Sequence, residues 1–363
     1  MRRIGNLAPL ASFLTILAML LAACGSTTGG GASTPTTCKS SVKVALVTDI
    51  GGLNDRSFNQ LAYAGYKKAE AQYCFTEKVI QTQSQNDYVK NLTLAAQSAD
   101  LVIAVGFLMQ VPLDQVAKTY ASKKFAIVDG CATLTIGGNC DPLTNVAQLF
   151  FKEQEAGCLV GAVAGQMELD GKAKIPKLLG KSTIGAVGGI EVPAVDRYIA
   201  GYKFCAKKVD PSVKVYVNFS QSFTDTAKCK DVALSQINQH QADIIFQVAG
   251  GCGVGALDAA DSKGVFGIGV DADQGYLHSS IITSAIKRVD SAVYDIVKDV
   301  EDGTYANFVA NPTKFDLAHD GVGYATPSSD VPDDAKMTAL SYKQQILAGT
   351  LTPPEAIPTP GTP

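Results

Sequence analysis

Ten short runs rich in apolar and β-branched residues punctuate this chain in two series of five, and stretches with helical spacing lie between them. The first series falls at 42–47, 78–81, 101–105, 125–128 and 145–150; the second falls at 183–187, 214–217, 244–248, 265–268 and 281–285. Runs this short and this continuously apolar predict strands buried on both faces. That pattern, alternating with helices, means parallel sheets with crossover helices. The body between the leader and the tail holds about 315 residues, more than one core usually serves, so two Rossmann-like α/β lobes are expected.

The chain opens with Arg2 and Arg3, an apolar run over 7–21, and Leu21-Ala22-Ala23-Cys24. This predicts a secretory signal over 1–23, and the tetrapeptide resembles a bacterial lipobox, which makes Cys24 the lipidated first residue of the mature protein. The run is short for the ~20 residues a retained transmembrane anchor needs. Residues 24–40, rich in Gly, Ser and Thr, then form a flexible tether that joins the body to the membrane. Loss of the two arginines makes the mature chain more negative than the −3 of the whole sequence, which argues against a nucleic-acid partner. The tail over 351–363 is proline-rich and expected to fray.

An exported chain with an even number of cysteines beyond Cys24 suggests disulfides. Cys131 with Cys140 brackets a short loop and is the first expected pair. Cys38 with Cys74 is the second, while Cys158, Cys205, Cys229 and Cys252 have no assignable partners. No CxxC is present, and His240, His278 and His319 stand apart, so neither a metal nor a cofactor is expected.

The stretch VALVTDIGGLNDRSFN over 44–59 reads as a buried strand, a polar glycine-containing loop and a helix capped by Asp55 or Ser57. Open α/β sheets bind ligands at such strand ends. The glycines lack the spacing of a phosphate cradle. The loop offers Asp49, Phe58 and Asn59, a carboxylate, a ring and an amide, which suit a neutral polyhydroxylated ring compound. Phe223 occupies a comparable strand-end loop in the second half, as do Gly250 and the segment 269–273. Gly157, Gly161 and Gly165, spaced by four on a helix over 153–167, read as a close helix contact.

The segments GGLNDRSFNQ (51–60), NVAQLFFKEQEAG (145–157), GAVGGIEVPAV (185–195), FTDTAKCK (223–230), AGGCGVG (249–255), GVDAD (269–273) and SAIKRVDSAVYD (284–295) together resemble the basic membrane protein family. These are substrate-binding lipoproteins of ABC importers. The resemblance runs in order over about 42–320 and departs at Cys252, in the extra cysteines and in the longer tail. It implies a type I periplasmic-binding fold: an N-terminal lobe of 41–150 plus 288–305, a C-terminal lobe of 151–287 plus 306–350, and hinge crossings near 150, 287 and 306. It also implies a purine nucleoside as ligand, a permease as partner, a monomeric receptor and an extracytoplasmic, lipid-anchored location.

On that reading Phe58 and Phe223 sandwich the base, and Asp271 and Lys287 hold the ribose. Asp129 and Asp49 accept hydrogen bonds, Asn59 donates and accepts, and Gly250 lets backbone amides approach. Asp49 serves equally well as a turn cap, and turn geometry alone also explains Gly250. A sugar or another small polar solute is the alternative cargo. A nucleoside-hydrolysing enzyme is a more distant one, because no GxSxG and no His beside a nucleophile are present, and no catalytic residue is expected.

Overall fold

The computed structural model describes residues 40–312 and 314–357. The expected signal segment, Cys24 and the Cys38–Cys74 pair therefore lie outside the described residues. All ten expected strands form. In the first lobe, β1 (Lys43–Thr48), α1 (Phe58–Tyr73), β2 (Thr76–Gln81), α2 (Tyr88–Ser98), β3 (Leu101–Val105), α3 (Gln110–Thr119), β4 (Lys124–Val128) and β5 (Val146–Leu149) build a parallel sheet in the order β2-β1-β3-β4-β5. Every residue of β3 is buried, as two-sided helical cover requires.

The chain then leaves through α4 (Glu153–Lys174). The second lobe comprises β6 (Thr183–Gly188), α5 (Pro193–Val209), β7 (Lys214–Phe219), α6 (Thr226–His240), β8 (Ile244–Val248), α7 (Gly253–Ser262), β9 (Phe266–Asp271) and β10 (Ile281–Lys287). Its parallel strands repeat the order of the first lobe, β7-β6-β8-β9-β10. Helices α8 (Val289–Glu301) and α9 (Tyr305–Ala310) return to the first lobe. β11 (Val322–Tyr324) then adds an antiparallel edge to β10, and α10 (Asp333–Leu347) packs on α4. β11 is absent from the sequence reading because three residues carry no usable period.

Two crossings fall where expected, at the start of α4 and after Lys287. The third does not lie near 306. The Tyr305 hydroxyl stands 2.6 Å from Phe125 O and 2.7 Å from Asn145 O, which holds α9 on the first lobe. The crossing comes at Phe315, which pairs in parallel with Phe151: its N–H donates to Phe150 O at 2.9 Å and its O accepts from Lys152 N at 3.0 Å. The tail does not fray at its start either. Leu351 is buried against Cys158, Ala162 and Cys205, and Ile357 packs on the main core.

Disulfides join Cys131 to Cys140 as expected, and also Cys158 to Cys205 and Cys229 to Cys252. The second of these staples α4 to α5, which pack tightly along their length. A Cβ atom at Gly157 would run into Tyr198 O, one at Gly161 into Tyr202 O, and one at Gly165 would stand 2.6 Å from Ala206 O. The expected helix contact is therefore real, and its tightness sets where Arg197 and Tyr198 stand. Because the obstacle is backbone, the packing has little room to relax. Gly157→Ala is expected to lower the unfolding free energy by about 2–3 kcal/mol, measured by denaturant titration.

Candidate binding cleft

A cleft lies between the lobes, and the eight residues singled out from the sequence all line it: Asp49, Phe58, Asn59, Asp129, Phe223, Gly250, Asp271 and Lys287. Each stands where its strand ends. Asp49 follows β1, Asp129 follows β4 and Asp271 closes β9. Phe58 opens α1 and Phe223 precedes α6, so the two rings reach the cleft from opposite lobes.

The start of α1 is fixed by Asp55, whose carboxylate accepts from the N–H groups of Ser57 (3.1 Å), Asn59 (2.8 Å) and Gln60 (3.1 Å). Three backbone donors that no helical carbonyl serves are thereby satisfied. Asn59 is partly committed too: its Oδ1 accepts from Asp49 N at 3.2 Å and its Nδ2 donates to Asp55 Oδ2 at 3.2 Å. Tyr88 donates its hydroxyl to Asp49 Oδ1, which also accepts from Ile50 N at 2.6 Å. Burial raises the Asp49 carboxyl above its ordinary value against the pull of the Tyr88 bond. Gly106, at φ +124°, passes so close that a Cβ there would stand 2.6 Å from Asp49 Oδ2.

At the floor of the cleft Lys287 is 1% exposed. Its Nζ lies 2.6 Å from Asp129 Oδ2 and 2.9 Å from Glu153 Oε1, and Glu153 Oε2 accepts from Arg197 Nε at 2.6 Å. The rings of Phe151, Phe58 and Tyr198 stand 4.7, 5.3 and 5.9 Å from the ammonium, close enough for cation–π attraction. Burial disfavours charge on Lys287, but Asp129 and Glu153 outweigh it and hold the ammonium protonated. Burial likewise opposes ionisation of Glu153, yet Lys287 and Arg197 hold it below the usual glutamate value. Asp129 is pushed up to about 6 by burial, which Lys287 only partly offsets. Burial also raises Asp271, which accepts from Ser57 Oγ at 2.6 Å and Tyr198 Oη at 3.1 Å.

Lys287 and Asp271 both line the cleft, the ammonium a donor and the Asp271 carboxylate an acceptor with lone pairs beyond those that Ser57 and Tyr198 use. A donor and an acceptor on one cleft are what a vicinal diol would need. Glu153, Ser57 and Tyr198 escaped the sequence reading. An acid in a helix's first turn looks like ordinary dipole compensation, Ser57 reads as a cap, and Tyr198 belongs to an apolar helical face.

The Bmp family model, described as ABC transporter substrate-binding protein PnrA-like, matches residues 42–355. This chain belongs to that family. It is 35% identical to an uncharacterized lipoprotein of Pyrococcus horikoshii, over 94% of this chain and 81% of the relative. It is 29% identical to the ABC transporter nucleoside-binding protein BmpA of Lactococcus lactis, over 92% and 95%. Among solved structures, an ABC transporter solute-binding protein from Aeropyrum pernix K1 superposes with a TM-score of 0.73 at 27% identity, covering 86% of this chain and 94% of that one. The two-lobed fold is therefore that of a type I periplasmic-binding protein, and the Bmp family is one of transporter receptors, with a small-molecule ligand and a permease as partners. Among the described residues no helix is long and apolar enough to cross a membrane.

Removing the Lys287 ammonium would strand the buried Asp129 carboxylate and leave Glu153 with Arg197 alone. Lys287→Met is expected to cost about 3–5 kcal/mol at pH 7. Without the cation the Glu153 carboxyl loses a partner that holds its pKa down and Asp129, already raised to about 6, rises further, so the variant regains more stability than the wild type as pH falls. The wild type loses the Glu153 contribution below pH 4.5, the ordinary glutamate value. The gap between the two proteins should therefore shrink from pH 7.5 to pH 5, as read by denaturation at both.

Proposed function

We propose that this protein captures a purine nucleoside between its lobes and delivers it to an ABC permease. The reading is carried by one observation: two rings from opposite lobes, Phe58 and Phe223, line the same cleft as the Asp271 carboxylate and the Lys287 ammonium. A flat base between offset rings gains roughly 0.5–1.5 kcal/mol per ring beyond area burial. The pentose diol donates to Asp271 and accepts from Lys287. Asp49 and the remaining proton of Asn59 face the edge of the base, and Gly250, at φ +54°, leaves its backbone open to the ligand. The nucleoside-binding relative in Lactococcus lactis supports the same cargo.

Capture rather than turnover follows from how the polar groups are used. Asp49, Asp129 and Asp271 each accept from an internal donor and serve the solute only as further acceptors, and hinge closure around the solute needs no bond to break. The monomeric receptor is held at the extracytoplasmic face through lipid on Cys24, and relatives named as lipoproteins support this. A Cys24→Ser chain should appear in the soluble fraction while the wild type stays with membranes.

A ligand that binds only the native state raises the melting temperature by mass action. Inosine, guanosine or adenosine is expected to stabilise the protein and ribose alone is not; the reverse order favours a sugar cargo. Phe223→Ala is expected to weaken nucleoside binding by about tenfold or more in calorimetry, since stacking and apolar contact are lost together. Release of free base on incubation would return the hydrolase alternative.

A further inference from the structure

Direct hydrogen bonds from Ser57 and Gln274 join the two lobes at one lip of the cleft, and these two side chains do not line the cavity. Ser57, the residue before α1, donates its hydroxyl to Asp271 Oδ2 at 2.6 Å and lies 3.3 Å from Val270 O. From the second lobe, Gln274 Nε2 donates to Arg56 O at 3.1 Å. Both side chains are fully buried.

The Gln274 amide is oriented by its surroundings. Its Oε1 accepts from Gln247 Nε2 at 2.7 Å and from Val270 N at 3.0 Å, which turns Nε2 toward the first lobe. Its own N–H donates to Ser284 Oγ at 3.0 Å, fixing the loop after β9. Arg56 adopts φ +60°, a conformation few side-chain-bearing residues tolerate. Gly251 completes the lip: a Cβ there would meet Asp55 at 3.5 Å, ordinary contact across the gap.

We propose that Ser57 and Gln274 form an interlobe latch that sets the open–closed balance, and hence the affinity for every cargo, without touching the cargo. The bonds run from protein to protein, so they hold the closed form whether or not a solute is present. The latch rests on the capture reading only for its effect on affinity; its effect on shape does not. Asp271 links the two, because the carboxylate offered to the solute also receives Ser57. A charge-assisted bond of this kind shifts a two-state balance by about tenfold when lost. Ser57 is thus a positioning residue.

The test uses the full chain with Ser57→Ala and Ser57→Thr, which keeps the hydroxyl. Dissociation of inosine and of its 2′,3′-dideoxy analogue is followed by stopped flow, and the radius of gyration is measured without ligand. The latch predicts about tenfold faster dissociation of both ligands from the alanine variant, little change in association, a larger unliganded radius and near-wild-type behaviour for threonine. A loss confined to inosine overturns it, because Ser57 would then be touching the sugar hydroxyls. Unchanged dissociation together with an unchanged radius also overturns it. If the wild type binds neither ligand, the capture reading fails and the scattering comparison alone decides the latch. Should the alanine variant not fold, wild-type scattering decides: an unliganded protein with open dimensions overturns the proposal.

Discussion

The Lys287 ammonium, buried where β10 passes into the hinge, is the interaction the rest of the architecture depends on. An unpaired ammonium in such a place would cost several kcal/mol, and two carboxylates and three rings surround it instead. The carboxylates come from different parts of the fold. Asp129 ends a strand of the first lobe, and Glu153 begins the helix that carries the chain into the second. Arg197 on α5 then secures Glu153 from behind. One cation therefore ties the first lobe to two of the three crossings. Any bending of the hinge has to preserve this buried pair or break it.

The repeated strand order gives the two lobes matching equipment. Asp129 and Asp271 occupy the ends of the fourth strand in each lobe, and both adopt positive φ, +64° and +60°. Such conformations cost of order 1–3 kcal/mol each and persist only where the surroundings impose them. Here the left-handed turn swings each carboxylate off its sheet and into the cleft. The third strands match as well: Gly106 follows β3 and Gly250 follows β8, both at positive φ, where a side chain would be strained. Strand ends that form a packing surface in a single sheet become, when two sheets face each other, opposite walls of one site.

Much of this was legible from the chain because strand-end chemistry is local. Short apolar runs gave the strands, and the polar residues that follow them were necessarily at the ligand edge of the sheets; Asp49, Phe58 and Phe223 were found that way. The roles of Asp271 and Lys287 came only from family resemblance, since an Asp after a strand and a Lys beside Arg288 look ordinary. The partners of Lys287 were not legible. Glu153 is 134 residues from it in sequence, and only the α4–α5 contact and the hinge bring them together. The third crossing was misplaced for a related reason. A Tyr305 hydroxyl bonded to carbonyls some 160 and 180 residues away leaves no periodic trace. The pairing of Cys158, Cys205, Cys229 and Cys252 likewise depends on helix contacts that spacing does not encode.

The charge balance of the cleft bears on the proposed cargo as much as its shape does. Among the described residues that line the cleft, Asp49, Asp55, Asp129 and Asp271 are acidic and Lys287 is basic, and burial raises all four carboxyls, Asp129 to about 6. In such a partly dry site a phosphate would meet like charges a few ångströms away, at several kcal/mol for each unscreened pair. The loops also offer no glycine cradle of backbone N–H groups to compensate it. Hydroxyl and ring N–H groups, by contrast, donate to carboxylates without bringing charge of their own. Carboxyl groups that would oppose a phosphate are thus compatible with the neutral, donor-rich ring compound proposed as cargo.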